Sequence, residues 1–234
     1  MSAFKITHRE AGDPDIRRAT LGFTAPFALY LAALMLERVA GVSPAIVHPL
    51  RLLLVTAAIL IFSRSYLGQR PSAPVLSTLL GIAVFAIWIA PDLLFHYRHF
   101  ILFENPITGQ AASSIPSSLR SSLPFIVVRT ISCVVTVPIL EELFWRGWLM
   151  RWLVDRDFLK VPYAVYVPSA FWSVAILFAS EHGPYWEVGL AAGILYNWWV
   201  TRTGNLADCI LAHAVTNACL SAYVLQTGLW RYWL

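Results

Sequence analysis

An acidic pair, Glu141-Glu142, directly follows an apolar run in the C-terminal half of the chain, and Arg146 lies shortly after it. Charged side chains at membrane depth are costly unless they are paired or face a water-filled cavity. Residues i and i+4 share one helix face, so we expect Glu142 to pair with Arg146 and Glu141 to remain the reactive carboxylate. Pro138 cannot continue the hydrogen-bond ladder, which predicts a kink and a cavity beside Glu141.

Histidine and asparagine side chains interrupt two later apolar stretches. His182 ends one of them, directly before Gly183-Pro184, and His213 and Asn217 lie within the other. Spaced i, i+4, the last two share one face of a helix. Because such side chains need polar partners in a membrane, we expect them to face the inside of a helical bundle, where several helices can build a common site.

Two kinds of chemistry fit this set of side chains. A glutamate and a histidine can take a proton from water, while a second histidine and an asparagine donate hydrogen bonds to a developing oxyanion. Alternatively, Glu141, His182 and His213 could hold Zn²⁺ with an open position for water. Either arrangement would hydrolyse an amide, and the residues leave the choice open.

The composition is that of a membrane protein. Hydrophobic residues make up 58% of the 234 residues and charged residues only 13%, whereas soluble domains carry about 25% charged residues. The net charge of +4 comes from basic residues scattered along the chain, so we expect a lipid bilayer as partner and no nucleic acid. The three cysteines all lie in apolar stretches, which argues against a disulfide framework.

Seven apolar runs are candidates for helices that cross the membrane. They cover residues 19–36, 45–63, 72–90, 123–142, 161–180, 188–201 and 209–230. Runs of this length are helical in lipid because an extended backbone would leave its polar groups unpaired. The sequence therefore predicts an all-α integral membrane protein, a bundle of about 7–8 transmembrane helices with its site in the C-terminal helices.

We divide the chain into three parts. Residues 1–18 form a polar tail, residues 19–122 contain N-terminal transmembrane helices and a Ser-rich loop, and residues 123–230 form the catalytic helical core. Lys and Arg residues are more frequent in the segments on the N-terminal side of the membrane. This predicts a cytoplasmic N-terminus and places the acidic pair toward the cytoplasmic half.

The order of the polar motifs resembles a known family. Glu141-Glu142-x-x-x-Arg146, Phe178-x-x-x-His182 and His213-x-x-x-Asn217 are similar to the motifs of the CAAX prenyl protease and bacteriocin-processing intramembrane proteases. The chain length and the N-terminal helices also resemble CAAX-protease-related proteins found beside bacterial exosortase sorting systems. The resemblance implies an intramembrane endopeptidase in a bacterial inner membrane that acts on a membrane-anchored or lipidated protein, with an exosortase system as a partner.

The resemblance also implies roles for the residues. Glu141 would be the base that activates water, assisted by His182, while His213 and Asn217 would form the oxyanion side or complete a metal site. The family has been described both as metal-dependent and as glutamate-type, so Zn²⁺ stays open.

Glu142 and Arg146 would support this site. Asp208 departs from the family pattern, and it is expected either to pair with Arg202 or to shape substrate access. A non-catalytic scaffold, immunity or sorting-partner protein of the same fold is the alternative function. A small transporter is disfavoured because the sequence shows no internal repeat.

The proposed site requires short or broken helices. At about 1.5 Å per residue, His182 would end its helix ~20–30 Å above the cytoplasmic side, while His213 would lie only ~12 Å into its own helix. Pro138, Pro168 and Gly183-Pro184 are the candidate breaks.

Overall fold

Seven long helices form the described part of the chain. The structure is a computed structural model that describes residues 14–233, without the side chains of residues 38–40, so the first 13 residues of the predicted polar tail lie outside it. The helices are α1 (Pro14–Ala40), α2 (Pro44–Tyr66), α3 (Pro74–Phe95), α4 (Leu123–Trp152), α5 (Pro168–Ser180), α6 (Trp186–Thr203) and α7 (Leu206–Thr227). The predicted all-α integral membrane fold is confirmed.

Five of these helices are long and apolar enough to cross a membrane, namely α1 as far as Glu37, α2, α3, α4 and α7. The other two are shorter, with 13 residues in α5 and 18 in α6. Large apolar side chains are exposed on the outer surface of the bundle, among them Leu53, Ile61, Val75 and Ile176. This is the surface that lipid chains would cover. The predicted cytoplasmic N-terminus and the three-part division of the chain stay predictions.

The predicted apolar run 161–180 is helical only from Pro168, so its predicted start was wrong. The preceding Val167 has extended backbone angles, φ −122° and ψ 116°. A proline disfavours the helical conformation in the residue before it, and Pro162 adds a second such restriction. Arg151 holds the beginning of this non-helical segment, residues 161–167, because its Nε donates to the carbonyl oxygen of Val161 at 2.6 Å.

Prolines begin most of the long helices. Pro44, Pro74, Pro124 and Pro168 each occupy the first or second helical position. There the missing N–H costs nothing and the fixed φ favours the helix. A tight turn joins α6 to α7: Gly204 has φ +64°, and the Asn205 side chain caps α7 by accepting from Ala207 N.

The Ser-rich loop between α3 and α4 packs against the bundle. It contains a short 3₁₀ turn, Ser117–Leu119, and its Ile115 side chain is buried together with Tyr185 and Trp233. A Cβ atom on Gly183 would lie 2.7 Å from the carbonyl oxygen of Thr108. The loop therefore reaches the turn that follows α5.

Glycines allow the helices of the site to approach closely. A Cβ atom on Gly81 of α3 would lie 2.4 Å from the Ala212 carbonyl oxygen of α7. Thr216 joins the same two helices by donating to the Gly81 carbonyl at 2.9 Å. Gly193 of α6 lies against α5 in a similar way, since a Cβ atom there would be 3.2 Å from the Ala175 carbonyl oxygen. Small residues at helix contacts let backbones pack tightly in membranes.

Candidate active site

Glu142 lies at the centre of a buried polar cluster. Its side chain is fully buried, and its Oε1 accepts from Arg146 Nη1 at 3.0 Å and lies 2.8 Å from His213 Nδ1. Its Oε2 accepts from the Cys209 thiol at 3.1 Å. The predicted ion pair with Arg146 is therefore present. The carboxylate joins α4 to α7.

Arg146 is held on all sides by polar and aromatic groups of α5 and α6. Its Nε donates to Asn197 Oδ1 at 2.8 Å, and its Nη2 donates to the Gly193 carbonyl at 3.3 Å. The guanidinium carbon lies 4.5 Å from the centre of the Phe178 ring. A buried guanidinium with these partners supports an ionised Glu142.

His213 presents one ring nitrogen to Glu142 and the other to Glu141. Because ionised Glu142 can only accept, the 2.8 Å contact places the proton of His213 on Nδ1. Its Nε2 then lies 3.9 Å from Glu141 Oε2, too far for a direct hydrogen bond. Tyr196 stacks on the imidazole with ring centres 5.0 Å apart, which fixes the plane of the ring.

His182 lies in the turn directly after α5. Its Nδ1 is 2.8 Å from the Phe178 carbonyl oxygen, so Nδ1 carries the proton and the neutral ring has its lone pair on Nε2. The Trp88 ring packs edge-on against the imidazole, with centres 5.2 Å apart. A Cβ atom on Gly189 would lie only 3.0 Å from the ring. Glycine at that position therefore makes room for His182.

Asn217 satisfies a carbonyl that the helix itself cannot. Residues Ser132–Thr136 of α4 form a π-helical turn, in which Val137 N donates to the Ser132 carbonyl. In this pattern the Cys133 carbonyl would need a donor five residues later, but that residue is Pro138, which has no N–H. Asn217 Nδ2 donates to the Cys133 carbonyl instead, at 2.8 Å. The predicted irregularity at Pro138 thus takes the form of a wide turn. π-helical turns of this kind are frequent at functional sites.

Four of the predicted residues line one cavity of about 170 Å³ inside the bundle, and they are Glu141, His182, His213 and Asn217. Aromatic side chains form much of the remaining wall, including Trp88, Phe178, Tyr185, Tyr196, Tyr232 and Trp233. Glu141 Oε2 is buried and has no hydrogen-bond partner within residues 14–233. Helix α5 has only 13 residues, since it begins at Pro168 and ends before Gly183-Pro184. His182, directly after this short helix, therefore lies beside the cavity.

The comparison with protein families gives one match. The family described as Type II CAAX prenyl endopeptidase Rce1-like matches residues 123–219, which is less than half of the chain. These residues, called the Rce1-like segment below, are similar to that family. All four cavity residues lie within this Rce1-like segment, and so do Glu142 and Arg146. No curated protein and no solved structure matches the chain, and the predicted link to exosortase-associated proteins stays a prediction.

Within residues 14–233 there is no group of three or more His, Cys, Asp or Glu side chains arranged to hold a metal ion. Glu141 Oε2 lies 3.9 Å from His213 Nε2, but Glu141, His213 and His182 do not form such a group. The described side chains are therefore not arranged as a preassembled zinc site.

Asp208 has a structural role that its sequence position does not reveal. Its carboxylate accepts from the backbone N–H groups of Ser72 and Ala73, at 3.1 and 2.9 Å, and from the hydroxyls of Ser72 and Ser77. It therefore caps the start of α3, and its contacts are with these residues instead of the expected Arg202. The negative charge also suits the positive end of the helix dipole.

Two residues of the Rce1-like segment support the site more directly than the sequence indicated. Cys209, which lies in an apolar stretch of the sequence, donates to Glu142. Asn197 accepts from Arg146 and donates to the Phe171 carbonyl at 2.8 Å. The polar Asn197 in an apolar helix was a visible signal, whereas a buried cysteine carries none.

Proposed function

We propose that the protein is an intramembrane endopeptidase that hydrolyses a peptide bond in a membrane-anchored or lipidated protein. One observation carries the proposal: Glu141, His182, His213 and Asn217, from three different segments of the chain, line one cavity inside a bundle of membrane helices. The similarity of residues 123–219 to a family of endopeptidases supports it.

In this proposal Glu141 is the base that activates water. Its Oε2 is buried and free of competing hydrogen bonds among the described residues, so it can accept a proton from a water in the cavity. His182 assists from the neighbouring wall, where its lone pair on Nε2 provides a second acceptor. The proton taken from water then passes to the leaving amine as the carbon–nitrogen bond breaks.

His213 and Asn217 form the oxyanion side of the proposed site. Glu142 holds His213 by its Nδ1–H, as a carboxylate orients a catalytic imidazole in hydrolases. In this role His213 first takes up a second proton from solvent at Nε2, and the imidazolium, stabilised by Glu142, then donates from Nε2 to the oxyanion. The amide of Asn217 has two N–H groups, of which one is used by Cys133. The other N–H is available to the developing oxyanion.

The cavity wall suits a peptide substrate with apolar side chains, because most of the residues that line the cavity are aromatic or aliphatic. We infer a substrate in or at the membrane, a bacterial inner-membrane location with a cytoplasmic N-terminus, and an exosortase-type sorting system as a partner. Zinc as a cofactor is a separate proposal, which elemental analysis of the purified, active protein tests directly.

The test uses purified protein in liposomes with a library of membrane-anchored and lipid-linked peptides. Mass spectrometry of the released fragments should identify one cleaved bond for the wild type. The His182→Ala and His213→Ala variants, verified as folded, should release no fragment. Retention of every peptide intact by the wild type would refute the protease and favour the non-catalytic scaffold. Unchanged cleavage by both variants would refute the site.

A further inference from the structure

A buried arginine outside the Rce1-like segment holds the turn that follows His182. Arg98 is only 4% exposed. Its Nη1 donates to the Pro184 carbonyl, and its Nη2 donates to Glu187 Oε1 at 2.8 Å. The guanidinium carbon also lies 3.9 Å from the centre of the Tyr185 ring. One side chain thus contacts three residues of the segment 183–187, which consists of the turn after His182 and the first two residues of α6 and is called the turn 183–187 below.

Other side chains fix the position of this guanidinium. Arg98 Nε lies 3.4 Å from Asp92 Oδ1 at the end of α3, and Asp92 also accepts from the Tyr232 hydroxyl. The Tyr97 hydroxyl donates to Glu187 at 2.8 Å. Burial and this hydrogen bond raise the pKa of Tyr97 to about 12, so the phenol remains a donor. Arg98 therefore joins α3 to the turn through ionic contacts with both.

Movement of the turn would move His182. The N–H of Tyr185 donates to the His182 carbonyl at 2.9 Å, which couples the turn to the histidine backbone. Gly183 between them has φ +51°, a conformation that costs glycine little and other residues more. A flexible glycine next to a catalytic side chain needs restraint from elsewhere, and the contacts of Arg98 supply it.

We propose that Arg98 is a positioning residue for His182: its contacts with Pro184 and Glu187 hold the turn 183–187 so that the imidazole faces the cavity. The inference rests on the proposed function in so far as His182 takes part in catalysis. An arginine suits this task because its planar guanidinium can donate to two acceptors and stack on a ring at once, which a lysine cannot do. The contact with Pro184 spans 86 residues of sequence.

The test compares Arg98→Met, Arg98→Lys and the control Arg120→Met in liposomes. Arg120 also donates to a backbone carbonyl and lies over an aromatic ring, but its partners Ile115 and Trp230 are not residues of the turn 183–187. We expect Arg98→Met to lower kcat by about 10- to 100-fold, the loss expected when a catalytic group is displaced by about 1 Å, with KM nearly unchanged. Arg98→Lys should recover part of the loss, and Arg120→Met should match the wild type.

A second measurement does not depend on activity. Nitrogen-15 NMR of histidine-labelled protein reports the tautomer of His182, whose signal is assigned by its absence in His182→Gln. We expect Arg98→Met to weaken the Nδ1–H tautomer signal that the Phe178 contact imposes, while Arg120→Met retains it.

Three results would overturn the positioning role. They are an unchanged kcat in Arg98→Met, a loss of activity that only follows the unfolded fraction, and an unchanged His182 signal. If the wild type itself cleaves no peptide, the proposed function fails, and the NMR comparison still decides whether Arg98 holds His182.

Discussion

Substitution by glutamine should strongly destabilise the protein at Glu142 but hardly change its stability at Glu141. Glu142→Gln keeps the shape of the side chain but removes the charge that three donors share, those of Arg146, His213 and Cys209. Arg146 is then left fully buried without a carboxylate. Glu141→Gln removes a carboxylate whose Oε2 makes no hydrogen bond within the described residues.

The expected magnitudes follow from these contacts. Removing one partner of a buried ion pair costs about 3–5 kcal/mol of stability. In Glu142→Gln, Arg146 still donates to Asn197 and to the Gly193 carbonyl. We therefore expect a loss near the lower end of this range, about 3 kcal/mol. Glu141→Gln should change the free energy of unfolding by less than about 1 kcal/mol, because no native hydrogen bond is lost. The measurement is reversible unfolding in mixed micelles, followed by tryptophan fluorescence.

A double-mutant cycle isolates the ion pair. The combined loss in Glu142→Gln/Arg146→Gln should be smaller than the sum of the two single losses, by about 0.5–3 kcal/mol, since each single variant already breaks the pair. If Glu142→Gln destabilises no more than Glu141→Gln, or if the two single losses add, the structural role given to Glu142 is wrong.

Three further substitutions test the supports of the site. Asp208→Ala should lower the free energy of unfolding by about 1–3 kcal/mol because it leaves the start of α3 uncapped; an unchanged melting temperature would contradict the cap. Gly81→Ala should lower both stability and cleavage, since its Cβ would lie 2.4 Å from the Ala212 carbonyl, next to His213; wild-type behaviour in thermal unfolding and peptide cleavage would show that α3 and α7 are not in close contact. Asn217→Leu should leave the Cys133 carbonyl unsatisfied and reduce kcat by about 10²–10³-fold, as loss of an oxyanion donor does; a cleavage rate equal to the wild type would remove Asn217 from the site.

The sequence predicted the helices well because membrane helices depend on local properties. Length and apolar composition decide which segments can cross lipid, and prolines at the first helical turns mark where the helices begin. The start of α5 was misplaced because residues 161–167 are mostly apolar but not helical: they contain a turn at Pro162 and an extended Val167 before Pro168. Apolar character alone does not distinguish a helix from such a segment.

The contacts of the site were only partly predictable. The pair Glu142–Arg146 follows from helical spacing. The contact between Glu142 and His213, in contrast, spans 71 residues and depends on how α4 packs against α7. The contact between Asp208 and Ser72 spans 136 residues, and the contact between Arg98 and Pro184 spans 86 residues. No local pattern encodes contacts of this kind in a single sequence.

The rate of peptide cleavage by Glu141→Gln decides whether Glu141 is the residue that activates water. We expect this variant to keep nearly wild-type unfolding behaviour, because Glu141 Oε2 makes no hydrogen bond within residues 14–233. Cleavage should nevertheless fall by about 10²–10⁴-fold, the contribution of a positioned general base. A Glu141→Gln variant that cleaves the same bond at the wild-type rate would contradict the assignment of Glu141 as the residue that activates water.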